Sequence, residues 1–275
     1  MIGSRNLYDS YTSTMHSRRF VAVLACAACA LLVASSLAVA GCDKTLSISS
    51  SDYAPYIYKT KAGKWSGLDV ELMQAIFKEA GCAYTFAPLV APKRMVEMVS
   101  RGKTDVLLAA SASDERRVAN RFGRPYRNES VSLVGLAGKV DSLRDIGNFR
   151  TLRDRGVRVL IPNAGWYGAD YANALPALQE AGLAIEFTYF DQSIRMLAAG
   201  RAALVMSDTG ALFDAARKEG VTIEALPFTV ITAPVHMMFS KASVSEHDVR
   251  ELDAATARLE KKGVLQAMRA AYGLH

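Results

Sequence analysis

The stretch at 105–110, Asp-Val-Leu-Leu-Ala-Ala, decides the fold class. After its first residue it is apolar without interruption, and a strand with one face in water would alternate instead. A short unbroken run reads as a strand buried on both faces. Immediately upstream, Pro92 stands at an early position of a helix reaching Val99, where its missing N–H costs nothing. Further back, 84–89 is strand-like. The segment 69–80 places Val70, Leu72, Met73, Ile76 and Phe77 on one helical face with Gly81 positioned to end it, and 45–50 is a short strand. Downstream, 130–137 and 157–161 repeat the buried-strand character, and 204–207 adds another. Helical patterns occupy 168–181, 192–199, 210–220 and 247–272. Alternation of this kind implies an α/β architecture with mostly parallel sheets. Ligands of such sheets sit beyond the carboxyl ends of the strands.

The chain has 275 residues, 51% hydrophobic and 22% charged, which excludes wholesale disorder. Four cysteines are too few for a disulfide-stapled miniprotein. The N-terminal segment is an address. Residues 1–19 end in Arg18-Arg19, and 20–37 carry no charge. Small residues follow, ending in Val39-Ala40-Gly41-Cys42, so 1–41 reads as a signal peptide. VAGC resembles the lipobox of bacterial lipoproteins, in which the Cys42 thiol becomes a diacylglyceryl thioether; an ordinary signal peptide and an uncleaved anchor helix are the alternatives. Met15 gives a more usual start for such a leader. Cys26 and Cys29 leave with the apolar region, and Cys82 is then without a partner and reads as a buried structural thiol. A chain beginning at Cys42 has 234 residues, and removing Arg5, Arg18, Arg19 and Asp9 lowers the net charge from +6 to +4. Asp43 after the lipidated position resembles an inner-membrane retention signal.

No phosphate loop, dinucleotide fingerprint, nucleophile elbow or zinc-protease motif is present. His236, His247 and His275 are scattered, which argues against a metal centre. Lys and Arg are dispersed, which argues against a nucleic-acid partner. These absences favour binding over chemistry.

Several segments resemble family 3 solute-binding proteins, the substrate-binding components of polar amino-acid ABC transporters. They are Tyr53-Ala-Pro-Tyr56, Gly63-Lys-Trp-Ser-Gly67-Leu-Asp69, Gly102-Lys-Thr-Asp105, Ser111-Ala-Ser-Asp-Glu-Arg116, Phe122-Gly-Arg-Pro-Tyr126 and Gly200 to Asp208. The resemblance implies a type II periplasmic binding fold of two α/β lobes joined by a two-strand hinge. Lobe 1 would comprise 42–127 with 234–275, and lobe 2 128–233. It implies a monomeric, lipid-anchored periplasmic receptor without a cofactor. Such a receptor closes on a small amino acid or related carboxylate and hands it to a permease.

An amino acid offers a carboxylate and an ammonium, so its site needs a fixed cation and a fixed anion. Arg116, in a loop entering a helix, can hold a carboxylate with two parallel hydrogen bonds, with Arg117 as the shifted-register alternative. Ser111 stands at a strand's carboxyl end as a second carboxylate donor. Asp208, ending the apolar run 204–207, is the ammonium ligand in the resembling family, and its position also suits a helix N-cap. Tyr53 and Tyr56 match the aromatic segment that packs on the ligand side chain. Ser50 stands where relatives carry an acidic reader of basic side chains. Trp166, before Gly168, either walls the pocket or marks a one-residue misalignment. Arg94, in the first turn of its helix, would add a second cation if it faced inward. Two rival readings keep the same fold: a cyclohexadienyl-dehydratase-like enzyme, with Glu186 or Asp191 as the acid, and a sensory receptor for a membrane kinase.

Overall fold

The computed structural model of the protein describes residues 41–274; the leader, with Met15, Cys26, Cys29 and the charge-free run, lies outside the described residues. In chain order the elements are β1 (Leu46–Ser49), β2 (Tyr58–Lys59), β3 (Trp65–Ser66), α1 (Leu68–Ala80), β4 (Tyr84–Phe86), α2 (Pro92–Ser100), β5 (Val106–Ser111) and α3 (Asp114–Ala119). Next come β6 (Asn120–Leu136), α4 (Phe149–Asp154), β7 (Val159–Pro162), α5 (Ala169–Glu180), β8 (Ala184–Phe187), α6 (Phe190–Ala198), β9 (Leu204–Asp208) and α7 (Thr209–Glu219). The chain closes with β10 (Ile223–Ser240), α8 (Glu246–Lys261) and α9 (Val264–Ala271).

Eight strands form one sheet in the order β4-β1-β5-β10-β6-β9-β7-β8. Its outer strands are parallel, β4-β1-β5 on one side and β9-β7-β8 on the other. Strands β6 and β10 run antiparallel through the centre, a departure from the mostly parallel sheet that the sequence predicts. They have 17 and 18 residues. At about 3.3 Å per residue that length outruns a single lobe, so each strand serves two. The amino-terminal half of β6 pairs with the carboxyl-terminal half of β10 beside β5, and the remaining halves pair beside β9. The crossing falls where Ser130, Glu129 and Asn128 face Thr232, Ala233 and Pro234. Only two strands cross there, which makes this the hinge of a two-lobed fold.

Each lobe has its own core. In lobe 1, Leu46, Ile48, Leu72, Phe77, Val106 and Phe239 pack together under α1 and α8. In lobe 2 two clusters, one around Leu133, Ile161 and Met206 and one around Leu160, Ile194 and Leu212, cover the two faces of the sheet. Burial on both faces is why 105–110 lacks alternation: Val106, Leu107, Leu108 and Ala110 are all buried. A fully buried ion pair ties α1 to the hinge, Arg127 Nε and Nη2 lying 2.5 and 2.9 Å from the Asp69 carboxylate oxygens.

Two sequence expectations are corrected here. The segment 247–272 is two helices, broken at Gly263 with φ +72°, a backbone that favours glycine. Cys82 has a partner, because it forms a disulfide with Cys42. No helix among the described residues is long and apolar enough to cross a membrane.

Candidate functional site

Between the lobes lies a cavity of about 150 Å³. This is space for about ten waters, suited to one small solute. Lobe 1 supplies Tyr53, Met95, Leu107, Ser111 and Arg116; lobe 2 supplies Trp166, Tyr167, Phe187 and Phe190; the hinge supplies Glu129.

The polar end is built around Ser111, the last residue of β5. Two residues earlier, Ala109 has φ +54°, a strained backbone for a residue with a Cβ, and the Ala109 N–H donates to the Tyr126 hydroxyl at 2.7 Å. Ser113 then caps α3, its hydroxyl accepting from the Arg116 N–H at 3.3 Å. The first turn of α3 so begun swings the Arg116 side chain back over the strand end, and its Nη1 donates to the Ser111 carbonyl at 2.9 Å. That is the guanidinium's one hydrogen bond to the described residues, so most of its five N–H donors remain free for a carboxylate. Burial makes this guanidinium less basic than usual, although an arginine remains a cation at any physiological pH.

Opposite Arg116, the Ser111 hydroxyl donates to Glu129 Oε1 at 2.6 Å. Glu129 is 7% exposed. Burial pushes its carboxyl up to about 7, against the pull of the Ser111 hydroxyl and Arg127 and with reinforcement from Asp208 and Asp69. Ser111 therefore separates a guanidinium at its carbonyl from a carboxyl group at its hydroxyl, and both face one cavity. The Ser50 hydroxyl lines the same cavity, 1% exposed and without a hydrogen-bond partner among the described residues.

The apolar end is aromatic. Tyr53 stacks on Phe190 across the lobes, centroids 5.3 Å apart and planes at 18°, and Phe190 meets Phe187 edge-on. Met95, Val96 and Leu107 line the lobe 1 wall beside them.

A family model matches residues 47–275: bacterial extracellular solute-binding proteins, family 3. The chain belongs to that family. This solute-binding protein is 23% identical over 234 residues to the Probable amino-acid-binding protein YxeM of Bacillus subtilis (strain 168), covering 84% of each chain. Its fold is similar to that of a histidine kinase sensor domain with similarity to periplasmic binding proteins. There the TM-score is 0.70 and the identity 21%, with 83% of this chain and 96% of the other covered. It is also similar to the ancestral amino acid-binding protein AncCDT-1, a precursor of cyclohexadienyl dehydratase. In that comparison the TM-score is 0.66 and the identity 20%, with 83% and 95% covered.

The solute-binding protein brings Tyr53, Ser111, Arg116 and Trp166 to the cavity. Arg117 points away, its guanidinium over the Phe122 ring. Three other sequence candidates lie elsewhere. Arg94 is exposed on the outer face of α2, beside Lys93, Glu97 and Arg101. The face of that helix turned to the cavity carries Pro92, Met95 and Val96, spaced one helical turn apart, which leaves Arg94 no path inward. Tyr56 is core: the Arg127 guanidinium covers its ring at 4.0 Å. Asp208 caps α7, Oδ1 accepting from the Ala211 N–H at 2.9 Å, while Oδ2 is buried without a hydrogen-bond partner among the described residues. Both line a second hollow, which Glu129 also lines, and burial raises the Asp208 carboxyl above its ordinary value. Glu186 and Asp191 are exposed, and neither lines the cavity.

Sequence reasoning missed Glu129 and Phe190. Arg127, Glu129 and Val131 are buried while Asn128 and Ser130 are exposed, an alternation inside a strand that begins at Asn120 rather than at Ser130.

Proposed function

We propose that this protein captures one amino acid with a neutral, largely apolar side chain in the interlobe cavity and delivers it to an ABC-type permease. The observation that carries the reading is the pair Arg116 and Glu129, held on either side of Ser111 in one cavity. Their separation by a single residue suits the two charges of an α-amino acid: Arg116 and the Ser111 region take the carboxylate, and Glu129 takes the ammonium. Glu129 in this role replaces Asp208. With those charges used, the charged group left at the cavity is Asp52, exposed at the rim near Lys218. A basic or acidic ligand side chain would then lack a buried counter-ion, whereas an apolar one meets Tyr53, Phe190, Leu107 and Met95.

The lobe boundaries in this reading are 42–127 with 234–275, and 128–233, so closure bends β6 and β10 at Glu129 and Ala233. The amino acid would bridge both lobes and shift the population toward the closed form. The protein acts on the outer side of the cytoplasmic membrane as a monomer.

Melting the purified mature protein against each of the twenty amino acids tests the reading. A ligand at a hundred times its Kd adds about 2.7 kcal/mol of stability, and Arg116→Ala should remove that gain. A panel without any shift, or an undiminished shift in Arg116→Ala, would overturn it.

One observation favours a second reading. Glu129 holds a proton up to about pH 7 and faces the cavity, as a general acid for dehydration would. Turnover of prephenate or arogenate by the purified protein, abolished in Glu129→Gln, would establish it; binding without turnover supports the receptor.

A further inference from the structure

We propose that the chain is cut between Ala40 and Gly41 and that Cys42 is then consumed by the disulfide with Cys82, so that the mature protein is released rather than lipid-anchored. Two processing chemistries compete for the same residues. Val39-Ala40-Gly41-Cys42 suits a lipoprotein peptidase, while Ala38-Val39-Ala40 places small residues at both positions that an ordinary leader peptidase reads. The sequence alone satisfies either, and the fate of one sulfur separates them.

The structure joins Cys42 to Cys82, with Cα atoms 4.9 Å apart. Cys82 is 7% exposed and belongs to the lobe 1 core, and Cys42 packs against that core. The residues around Cys42 are fastened down as well. Gly41 lies against the Gly81 carbonyl, where a Cβ would come within 2.9 Å. The Asp43 N–H donates to Asp248 at 2.8 Å and its carboxylate accepts from Ser245 at 2.8 Å. Lys44 reaches Asp105 at 2.6 Å, and β1 begins at Leu46. A diacylglyceryl group on this sulfur would therefore displace core packing, and no slack chain separates it from the folded lobe. With Cys26 and Cys29 removed in the leader, the mature chain holds two cysteines and one possible pairing.

The chemistry balances. Water hydrolyses the Ala40–Gly41 peptide bond, leaving a carboxylate on Ala40 and a free amine on Gly41. The two thiols then lose two protons and two electrons to a thiol oxidase of the export compartment, whose own disulfide becomes a dithiol.

The test is to produce the full 275-residue chain with its own leader in an export-competent bacterium, fractionate the cells and weigh the intact protein. The expected result is soluble periplasmic protein with the mass of 41–275 less two hydrogens, gaining two hydrogen masses on reduction, whose maturation is indifferent to globomycin. Cys42→Ser should be processed at the same bond, a readout independent of folding. A diacylglyceryl mass on Cys42 in the membrane fraction, precursor accumulating with globomycin or in Cys42→Ser, or two alkylatable thiols in the soluble protein would each overturn the proposal.

Discussion

Replacing Glu129 by Gln separates a charge-reading site from a merely polar one, because this carboxyl titrates within the range where the ligand's own charges stay fixed. In the unliganded protein its value is about 7, raised by burial and by Asp208 and Asp69 and opposed by the Ser111 hydroxyl and Arg127. An ammonium needs the ionised form, so binding expels the proton that the empty site holds. The ionised fraction is about three quarters at pH 7.5 and about 3% at pH 5.5, so apparent affinity should fall about 25-fold between them. Arg116, the other charge at the cavity's polar end, does not titrate in this window. Glu129→Gln removes the slope. It also loses a charge-assisted hydrogen bond of about 1.5–3 kcal/mol, so the variant is weaker at pH 7.5 and approaches the wild type at pH 5.5. Stability without ligand moves oppositely. A folded-state value above the ordinary 4.5 means that the folded chain holds its proton more tightly than the unfolded chain. Glu129 thus destabilises the fold progressively from about pH 4.5 to 7 and constantly above, by about 3 kcal/mol in full, and the Gln variant should melt higher at pH 8. Calorimetric titration with the amino acid giving the largest melting shift, in two buffers of different ionisation enthalpy, counts the released proton. Equal wild-type affinity at the two pH values without proton release, or the same slope in Glu129→Gln, would refute the reasoning.

Three further outcomes follow from the geometry. Asp69→Asn leaves the buried Arg127 guanidinium without its counter-charge and should cost about 3–5 kcal/mol in denaturant unfolding; a loss under 1 kcal/mol would deny the pair that role. Asp208→Ala removes the cap of α7 and should cost about 1 kcal/mol of stability, with amino-acid affinity changed far less than in Glu129→Gln; the reverse order would return the ammonium to Asp208. Arg94→Ala alters an exposed side chain on the outer face of α2 and should leave affinity unchanged, whereas a tenfold loss would place that arginine in the site.

Much of the fold was legible because buried strands and amphipathic helices carry their burial in their composition. DVLLAA identifies β5, and the face of Val70, Leu72, Met73, Ile76 and Phe77 identifies α1, every one of them buried. Strand β10 escaped the same reading because its amino-terminal half is mostly half-buried and its register shifts repeatedly, so no clean period survives. Arg116 and Ser111 could be read from the strand-loop-helix order that positions them. Glu129 could not while its strand was started at Ser130, since a hinge residue has the polar composition of a loop and the alternation of a sheet. Arg94 and Asp208 show the converse: residue type and rough position suggested a pocket, but helix phase turned one outward, and the other caps α7 without lining the cavity. The pairing of Cys42 with Cys82 depends on the turn after α1 meeting the chain just before β1, a contact across 40 residues that local pattern does not encode.

The most direct test is the structure of the mature protein with the amino acid that stabilises it most. The ligand carboxylate is expected on the Arg116 guanidinium, the ammonium on Glu129 and the side chain between Tyr53, Phe190 and Leu107. A ligand held in the hollow beside Asp208 and Tyr56, or one whose ammonium lies away from Glu129, would contradict it.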